Sequence, residues 1–150
     1  MKVCIGGTFN ILHKGHKFLF KIAFQVAGSD GKVYIGLSDG KLLENKKFVN
    51  SFEQRTEALT EYLNNQGFEG CFEIKPIFDK YGFAADGNWD AIVVSPETLE
   101  KSRHINEKRI EKGLKPLIIV EVPYVLADDN LPISSTRIYN KEIDEEGKSI

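Results

Sequence analysis

The stretch Gly6–His16, GGTFNILHKGH, follows a short apolar segment and carries two of the three histidines of a 150-residue chain. The segment Lys2–Ile5 predicts a β-strand that runs into the glycine pair Gly6 and Gly7. Apolar residues in the following Lys14–Ala27 recur at helical spacing, which predicts a helix. A strand, a glycine turn and a helix start are typical of an anion site, because the first N–H groups of a helix are free and its dipole is positive there.

The rest of the chain predicts further strands and helices in alternation. The predicted strands are Lys32–Leu37, Phe72–Phe78, Ala91–Val94 and Leu117–Val122. The predicted helices begin with a capping box at Ser51 and Gln54, at Ser95-Pro96-Glu97 with proline in first position, and near Ser134. This order favours a Rossmann-like α/β fold, a doubly wound five-stranded parallel sheet with helices on both faces. We expect one domain over residues 1–150, with a frayed tail from about residue 141.

The composition excludes several classes of protein. Hydrophobic residues make up 41% and charged residues 28% of the chain, and the net charge of -2 predicts no nucleic-acid or membrane surface. No apolar run approaches the roughly 18 residues of a membrane span, and the N-terminal run is too short for a signal peptide. We therefore expect a cytoplasmic protein, and no protein partner is implied. Cys4 and Cys71 are expected to be free thiols, with a disulfide as the alternative.

Two imidazoles three residues apart at a helix start can hold phosphate oxygens. His13 lies just before the predicted helix and His16 in its first turn, with Gly15 leaving room for a ligand. Each ring can donate a hydrogen bond to a phosphate, more strongly when protonated. Thr8 adds a hydroxyl at the same edge.

Two other interpretations of this stretch remain open at this point, and a third is excluded. The histidines could simply cap the helix. A zinc site would need a third ligand, for which His104 and Asp39 are the distant candidates. The phosphate-binding sequences G-x-x-x-x-G-K-[ST] and G-x-G-x-x-G are both absent, which excludes the familiar nucleotide loops.

A second stretch, ISSTRI at Ile133–Ile138, places hydroxyls and an arginine at a predicted helix start. Such a start is another candidate anion cradle, and Arg137 could clamp a phosphate through two hydrogen bonds. An over-capped helix is the alternative. In a parallel sheet the two stretches would meet at the same edge, so we expect His16 and Ser135 to reach one triphosphate.

Together the two stretches resemble the nucleotidyltransferase superfamily with an H-x-G-H motif and a distal I-S-S-T/S motif. Four further segments are similar to the archaeal and eukaryotic type of phosphopantetheine adenylyltransferase, and the similarity covers roughly residues 2 to 140. These segments are ENKKF (Glu44–Phe48), EQRTEAL (Glu53–Leu59), AIVVSPET (Ala91–Thr98) and the pair Asn106 and Arg109.

The resemblance implies transfer of AMP from ATP to 4′-phosphopantetheine, which gives dephospho-coenzyme A and pyrophosphate in coenzyme A biosynthesis. Mg²⁺ would be carried by the triphosphate and no protein metal site is implied. His16, with His13 and Lys46, would act on the reacting phosphates, and Thr8 and Lys46 would hold the acceptor phosphate. The residues implied to contact the nucleotide are Gly7, Thr8, Phe9, His13, His16, Arg109, Ile133, Ser134, Ser135, Thr136 and Arg137. Arg103 is implied to contact the acceptor.

The acceptor is less well defined by the motifs than the nucleotide. Alternative acceptors are flavin mononucleotide, nicotinamide mononucleotide or glycerol phosphate, the last with CTP as the donor. An alternative of another class is a non-catalytic nucleotide-binding module. The loop Asp79–Asp90 could shape a pantetheine pocket or merely connect two strands. Asn10 replaces the aspartate that is common in the superfamily, which keeps the hydrogen-bonding shape but removes a charge.

Overall fold

The structure, a computed structural model, describes all residues from 1 to 150 and contains one five-stranded sheet. Every strand pairing is parallel, in the order β3-β2-β1-β4-β5. The strands are β1 (Lys2–Gly7), β2 (Lys32–Ser38), β3 (Phe72–Ile77), β4 (Ala91–Val94) and β5 (Ile118–Glu121). The predicted Rossmann-like sheet is confirmed.

Four α-helices connect or follow the strands. They are α1 (Lys14–Ala27), α2 (Phe52–Asn65), α3 (Leu99–Glu111) and α4 (Ser135–Tyr139), with a short 3₁₀ turn over Gly40–Leu43. The predicted capping box is present at α2, where Ser51 Oγ accepts from the Gln54 N–H and the Gln54 side chain accepts from the Ser51 N–H. None of the helices combines the length and the apolar character needed to cross a bilayer.

The sheet buries both of its faces, as the alternation of side chains along β1 shows. Val3 and Ile5 belong to the larger core, which contains residues of α1 and α2, whereas Cys4 packs in a smaller core with Ile105 of α3. Helices therefore cover both faces, which parallel strands require because both sides of each strand are apolar. Cys4 and Cys71 are free thiols, as expected.

The buried face of α1 differs from the face that the spacing predicted. The expected stripe was Phe18, Leu19, Ile22, Ala23 and Val26. The fully buried residues are instead Phe20, Ala23, Phe24 and Ala27, while Phe18, Leu19, Ile22 and Val26 are only partly covered at the rim. Apolar residues occupy most of the circumference of this helix, so periodicity alone could not decide which side faces the sheet.

The third helix begins later than predicted. Ser95–Thr98 forms a turn, in which the Ser95 N–H bonds to Thr98 Oγ1 and the Thr98 N–H to the Ser95 carbonyl, and α3 starts at Leu99. Pro96 therefore lies before the helix and not at its first position. The threonine hydroxyl closes the turn locally, which competes with helix formation.

The tail is ordered, contrary to the prediction that it is frayed. Ile143 is 0% exposed and packs with Ala127 and Ile133. The Lys14 N–H at the start of α1 donates to the carbonyl of Glu145 at 3.0 Å. One isoleucine among charged residues gave too little pattern to predict this packing.

The stretch that opens the chain leaves the sheet at its topological switch point. β1 lies in the middle, between β2 and β4. Loops after adjacent strands lead to opposite faces here, which leaves a crevice at the carboxyl ends of the strands. This geometry puts residues 8 to 16 at the place where ligands of such sheets bind.

Candidate active site

The start of α1 is built by the two histidines themselves. His13 is the N-cap, and its Nδ1 accepts hydrogen bonds from the N–H groups of Gly15 at 3.0 Å and His16 at 3.3 Å. His16 Nδ1 in turn accepts from the His13 N–H at 3.5 Å, which completes a capping box made of imidazoles. Because Nδ1 is the acceptor in both rings, each neutral ring carries its proton on Nε2.

This arrangement corrects the expectation of free N–H groups at the helix start. The N–H groups of Lys14, Gly15 and His16 are bonded to the Glu145 carbonyl and to the His13 ring. An anion at this edge would therefore meet imidazole donors and not backbone N–H groups. The capping interpretation and the ligand interpretation of the histidines are thus compatible, since one nitrogen of each ring caps and the other stays available.

The two rings are stacked and largely removed from water. Their centroids lie 3.7 Å apart, and His13 is only 6% exposed. Burial lowers the pKa of His13 to about 4, helped by the charge of Lys17. Burial also lowers the pKa of His16 to about 3, with a smaller contribution from the neighbouring His13. Both rings are neutral near pH 7, so the expected help from protonation does not arise in this structure.

Phe9, Gly7 and Gly15 shape the space around the two histidine rings. Phe9, with φ of 46°, is 4% exposed, and its ring lies edge-on to His16 at 5.2 Å and against Phe20 at 4.9 Å. A Cβ on Gly7 would lie 2.9 Å from the Phe9 ring, and one on Gly15 2.9 Å from the His13 ring. Phe9 therefore supports His16 from behind, and Gly7 and Gly15 make room for protein rings.

The two motifs meet although they lie at opposite ends of the chain. Ser135 Oγ accepts from the Ile11 N–H at 3.4 Å, and its hydroxyl lies 3.2 Å from the Ile11 carbonyl, to which it can donate. Ile11 is two residues before the His13 cap, so α4 begins beside the imidazole pair. The predicted convergence at one sheet edge is present.

The other residues of the distal stretch face different surroundings. Ser134 caps α4 through a bond from the Arg137 N–H, Thr136 is exposed, and the Ile133 side chain is buried in the small core with Ile143. Arg137, the predicted phosphate clamp, contacts protein groups. Its guanidinium pairs with Asp129 and Glu142 and donates to the Pro132 carbonyl at 3.1 Å.

Lys46 and Thr8, predicted to share a role, are in contact. Lys46 Nζ donates to Thr8 Oγ1 at 2.6 Å across a sequence separation of 38 residues. Lys47 makes no comparable contact, so the structure resolves which of the two adjacent lysines faces the opening loop. An ammonium and a hydroxyl side by side form a suitable pair for an anionic oxygen.

A buried arginine that the motif analysis did not single out ties this region together. Arg55 of α2 is 1% exposed and donates to the carbonyls of Thr8, Ser38 and Asn50 at 3.1, 2.8 and 2.9 Å. Its position inside EQRTEAL was the available signal, but a helix arginine is ordinarily assigned to the surface. Arg55 joins the ends of β1 and β2 to the start of α2.

Arg109 was assigned to the nucleotide, and the structure gives it another position. It is 1% exposed and donates to the carbonyls of Ala84, Asp86 and Lys115 at 3.0, 3.0 and 2.8 Å. Arg109 therefore holds the loop of residues 79–90 from behind. Arg103 lies exposed on α3 and pairs with Glu100 at 3.1 Å, so the structure gives it no ligand position.

A mainly apolar pocket lies on the α3 face of the sheet, at the carboxyl ends of the central strands. Its wall includes Gly6, Gly36 and Val94 from strands, and residues 80–84 of the predicted pantetheine loop. Lys101 of α3 also lines it and has no hydrogen bond or ion pair with another side chain. Burial lowers the pKa of Lys101 and the charge of Lys46 lowers it further, while the carboxylate of Glu97 acts in the opposite direction.

The structure does not support a zinc site. His104 is on the exposed surface of α3 between Glu100 and Glu107, and no group of three or more His, Cys, Asp or Glu side chains could hold a metal ion. The Nδ1 atoms of both site histidines are already used as caps. The residues present therefore do not fit a resident metal.

Comparison with known sequences agrees with this geometry. The sequence model of the cytidylyltransferase-like family matches residues 4–141. The chain belongs to this family of nucleotidyltransferases.

Individual relatives indicate a subgroup within this family. A phosphopantetheine adenylyltransferase of Methanosarcina mazei is 46% identical over 148 residues, which cover 98% of this chain and 96% of the relative. One of Archaeoglobus fulgidus is 41% identical, with 98% of each chain covered. A crystal structure of an Archaeoglobus fulgidus protein of unknown function superposes with a TM-score of 0.73 at 38% identity, covering 81% of this chain and 89% of that one. Within the wider family, the chain belongs with the phosphopantetheine adenylyltransferases.

Proposed function

We propose that the protein transfers AMP from ATP to 4′-phosphopantetheine, giving dephospho-coenzyme A and pyrophosphate. The observation that carries this proposal is the meeting of three segments at the end of β1. The imidazole pair, the serine of the distal motif and the Lys46–Thr8 contact all lie on or against residues 8 to 16. The names of the relatives supply the acceptor.

The reaction needs little covalent help from the protein. A phosphate monoester has its second pKa near 6, so the acceptor is mostly a dianion at neutral pH and requires no general base. One of its oxygens attacks the α-phosphorus of ATP, an O–P bond forms, and the bond from the α-phosphorus to the β-bridging oxygen breaks as pyrophosphate leaves. Catalysis is then a matter of aligning two anions and stabilising the charge on the α-phosphate oxygens.

The neutral imidazoles supply that stabilisation as fixed donors. Capping at Nδ1 orients His13 and His16 and leaves the proton of each on Nε2, where a phosphate oxygen can accept it. Stacking and burial remove water around the pair, which strengthens the hydrogen bonds and avoids reorganisation in the transition state. We assign the main role to His16 and a supporting role to His13.

The acceptor would approach from the opposite side of the β1 end. Lys46 with Thr8 would hold its phosphate, and the apolar pocket behind residues 80–84 would take the pantetheine arm. Ser134, Ser135 and Thr136 would lie along the β- and γ-phosphates of ATP. Mg²⁺ would enter with ATP as part of the substrate. We place the reaction in the cytoplasm, as the sequence predicts.

Pyrophosphate release with a panel of acceptors tests the proposal. Purified protein receives ATP and Mg²⁺ with 4′-phosphopantetheine, flavin mononucleotide or nicotinamide mononucleotide, and in parallel CTP with glycerol phosphate. Turnover with phosphopantetheine is the expected result. Turnover with another acceptor alone would reject the proposed substrate, and ATP binding without any turnover would favour a non-catalytic module.

A further inference from the structure

Asn10 uses both halves of its amide to hold a neighbouring loop. Its Nδ2 donates to the Phe48 carbonyl at 2.9 Å, and its Oδ1 accepts from the Asn50 N–H at 2.8 Å. Both partners lie about 40 residues further along the chain. Asn10 has no hydrogen bond to either histidine, so it does not fix an imidazole tautomer.

The identity of the side chain matters for this contact. An aspartate in the same place could still accept from the Asn50 N–H, but a carboxylate has no N–H to offer to the Phe48 carbonyl. Two oxygens would face each other where the amide now donates. The departure from the common aspartate is therefore matched by a contact that only the amide can complete.

The segment that Asn10 holds is conformationally demanding. Phe48 has a left-handed φ of 61°, which is uncommon for a residue with a bulky side chain. Its ring is 59% exposed yet stacks on Tyr139 of α4 with centroids 4.0 Å apart. Such a backbone persists only where surrounding contacts over-determine it. Asn10 supplies two of those contacts and Tyr139 another.

Lys46 lies two residues before Phe48 in the same segment, and its ammonium reaches Thr8, two residues before Asn10. The segment 44–50 is thus held against residues 8–10 at two points. One is the hydrogen bond from Lys46 to Thr8, which belongs to the proposed acceptor site, and the other is the pair of hydrogen bonds made by Asn10. We infer that Asn10 is a positioning residue for the acceptor side, fastening the segment 44–50 so that Lys46 points at the acceptor phosphate. This inference rests on the proposed function for the identity of the acceptor only.

A mutant cycle tests whether Asn10 acts through Lys46. Asn10→Ala should raise the KM for the acceptor about 5- to 10-fold, as expected for two partly exposed hydrogen bonds, while changing the KM for ATP much less. In a Lys46→Ala background the same substitution should have little further effect on the acceptor KM, because the group it positions is gone. In a Lys47→Ala background the full effect should remain.

Amide hydrogen exchange supplies a readout that does not need catalysis. The Asn50 N–H should lose protection in Asn10→Ala and keep it in Asn10→Asp, since aspartate retains the acceptor but not the donor. The acceptor KM of Asn10→Asp should lie between those of the wild type and Asn10→Ala.

Equal increases in both KM values, or an undiminished effect of Asn10→Ala in the Lys46→Ala background, would overturn the inference. Asn50 protection unchanged in Asn10→Ala would also overturn it. If the wild type turned over no acceptor, the proposed function would fall, and the exchange at Asn50 would still decide whether Asn10 fastens the segment.

Discussion

The proposed nucleotide side and the proposed acceptor side of the site are built in different ways. On the nucleotide side, His13, His16 and Ser135 are held by hydrogen bonds to backbone groups and by stacking. On the proposed acceptor side, Lys46 donates to one hydroxyl, and Lys101 lines an apolar pocket without a hydrogen bond to another side chain. Fixed donors suit the α-phosphate, where charge develops, whereas ammonium groups on flexible lysine stems suit an acceptor that has to enter and leave.

Removing one fixed donor should have the largest effect. His16→Ala should lower kcat by about 10²–10³-fold, by analogy with the loss of one donor to a developing charge, with a smaller change in either KM. Steady-state kinetics with both substrates varied measure this. His104→Ala, on the exposed surface of α3, is the control and should keep wild-type kinetics.

A kcat of His16→Ala close to that of the wild type would contradict this comparison, because the fixed donors of the proposed nucleotide side would then not stabilise the transition state. Circular dichroism and a thermal melt establish whether the variant is folded. Loss of the half-buried ring beside Phe9 should reduce the stability moderately without unfolding the protein.

The wall of the acceptor pocket should be the next most sensitive element. Arg109→Met leaves three carbonyl oxygens without their donor, and the free energy of unfolding should fall by about 2–4 kcal/mol. Urea denaturation measures the loss, and Arg103→Ala should be near wild type. If Arg109→Met weakened ATP binding while leaving the stability unchanged, the original assignment of Arg109 to the nucleotide would be restored.

The ammonium group of Lys46 should affect binding of the acceptor more than kcat. Lys46→Ala should raise the KM for the acceptor about 10- to 30-fold, the loss of one charge-assisted hydrogen bond, and should change the KM for ATP little. Lys47→Ala is the matched control in the same segment. A kcat effect as large as that of His16→Ala would erase the distinction between the two sides.

The smallest predicted effect concerns the pH dependence of the free energy of unfolding. It should show that the His13 ring is buried in its neutral form. The pKa of His13 is about 4 in the folded protein, against 6.5 for an unperturbed histidine. As the pH falls below 6.5 the unfolded chain takes up the proton first, so stability is complete above pH 6.5 and is lost progressively towards pH 4. At pH 5 the loss should be roughly 1–2 kcal/mol for this one group.

His13→Asn isolates this effect, because asparagine also caps helices but does not titrate. Between pH 7 and pH 5, the free energy of unfolding from urea titrations should fall less for the variant than for the wild type. Parallel curves would show that the imidazole is not held neutral by burial.

The strands and the site loops were predictable for different reasons. The bounds of α1 and β4 follow directly from apolar spacing and glycine punctuation, and the parallel sheet follows from their alternation. The meeting of Ser135 with Ile11 of the opening stretch follows from topology, since strand ends of a parallel sheet share an edge. The Lys46–Thr8 pairing came from the resemblance alone, because a loop lysine carries no periodic signal.

The sequence did not predict which polar side chains are buried inside the fold or what they contact. Arg55 and Arg109 are charged residues on helices, and nothing in their spacing shows that each would be buried against three carbonyl groups. Gly7 and Gly15 were predicted to admit a ligand and instead admit aromatic rings, a distinction that depends on rotamers. Ile143 anchors the tail through a contact too isolated to leave a pattern.

The bond from the Lys14 N–H to the Glu145 carbonyl ties the first turn of α1 to the C-terminal segment of the chain. Closing that contact requires residues separated by most of the chain to find each other, which costs more loop entropy than any neighbouring pair. The amide of Lys14 is consequently a reporter: its exchange with deuterium should follow the docking of the 141–150 segment, and deletion of that segment should remove its protection.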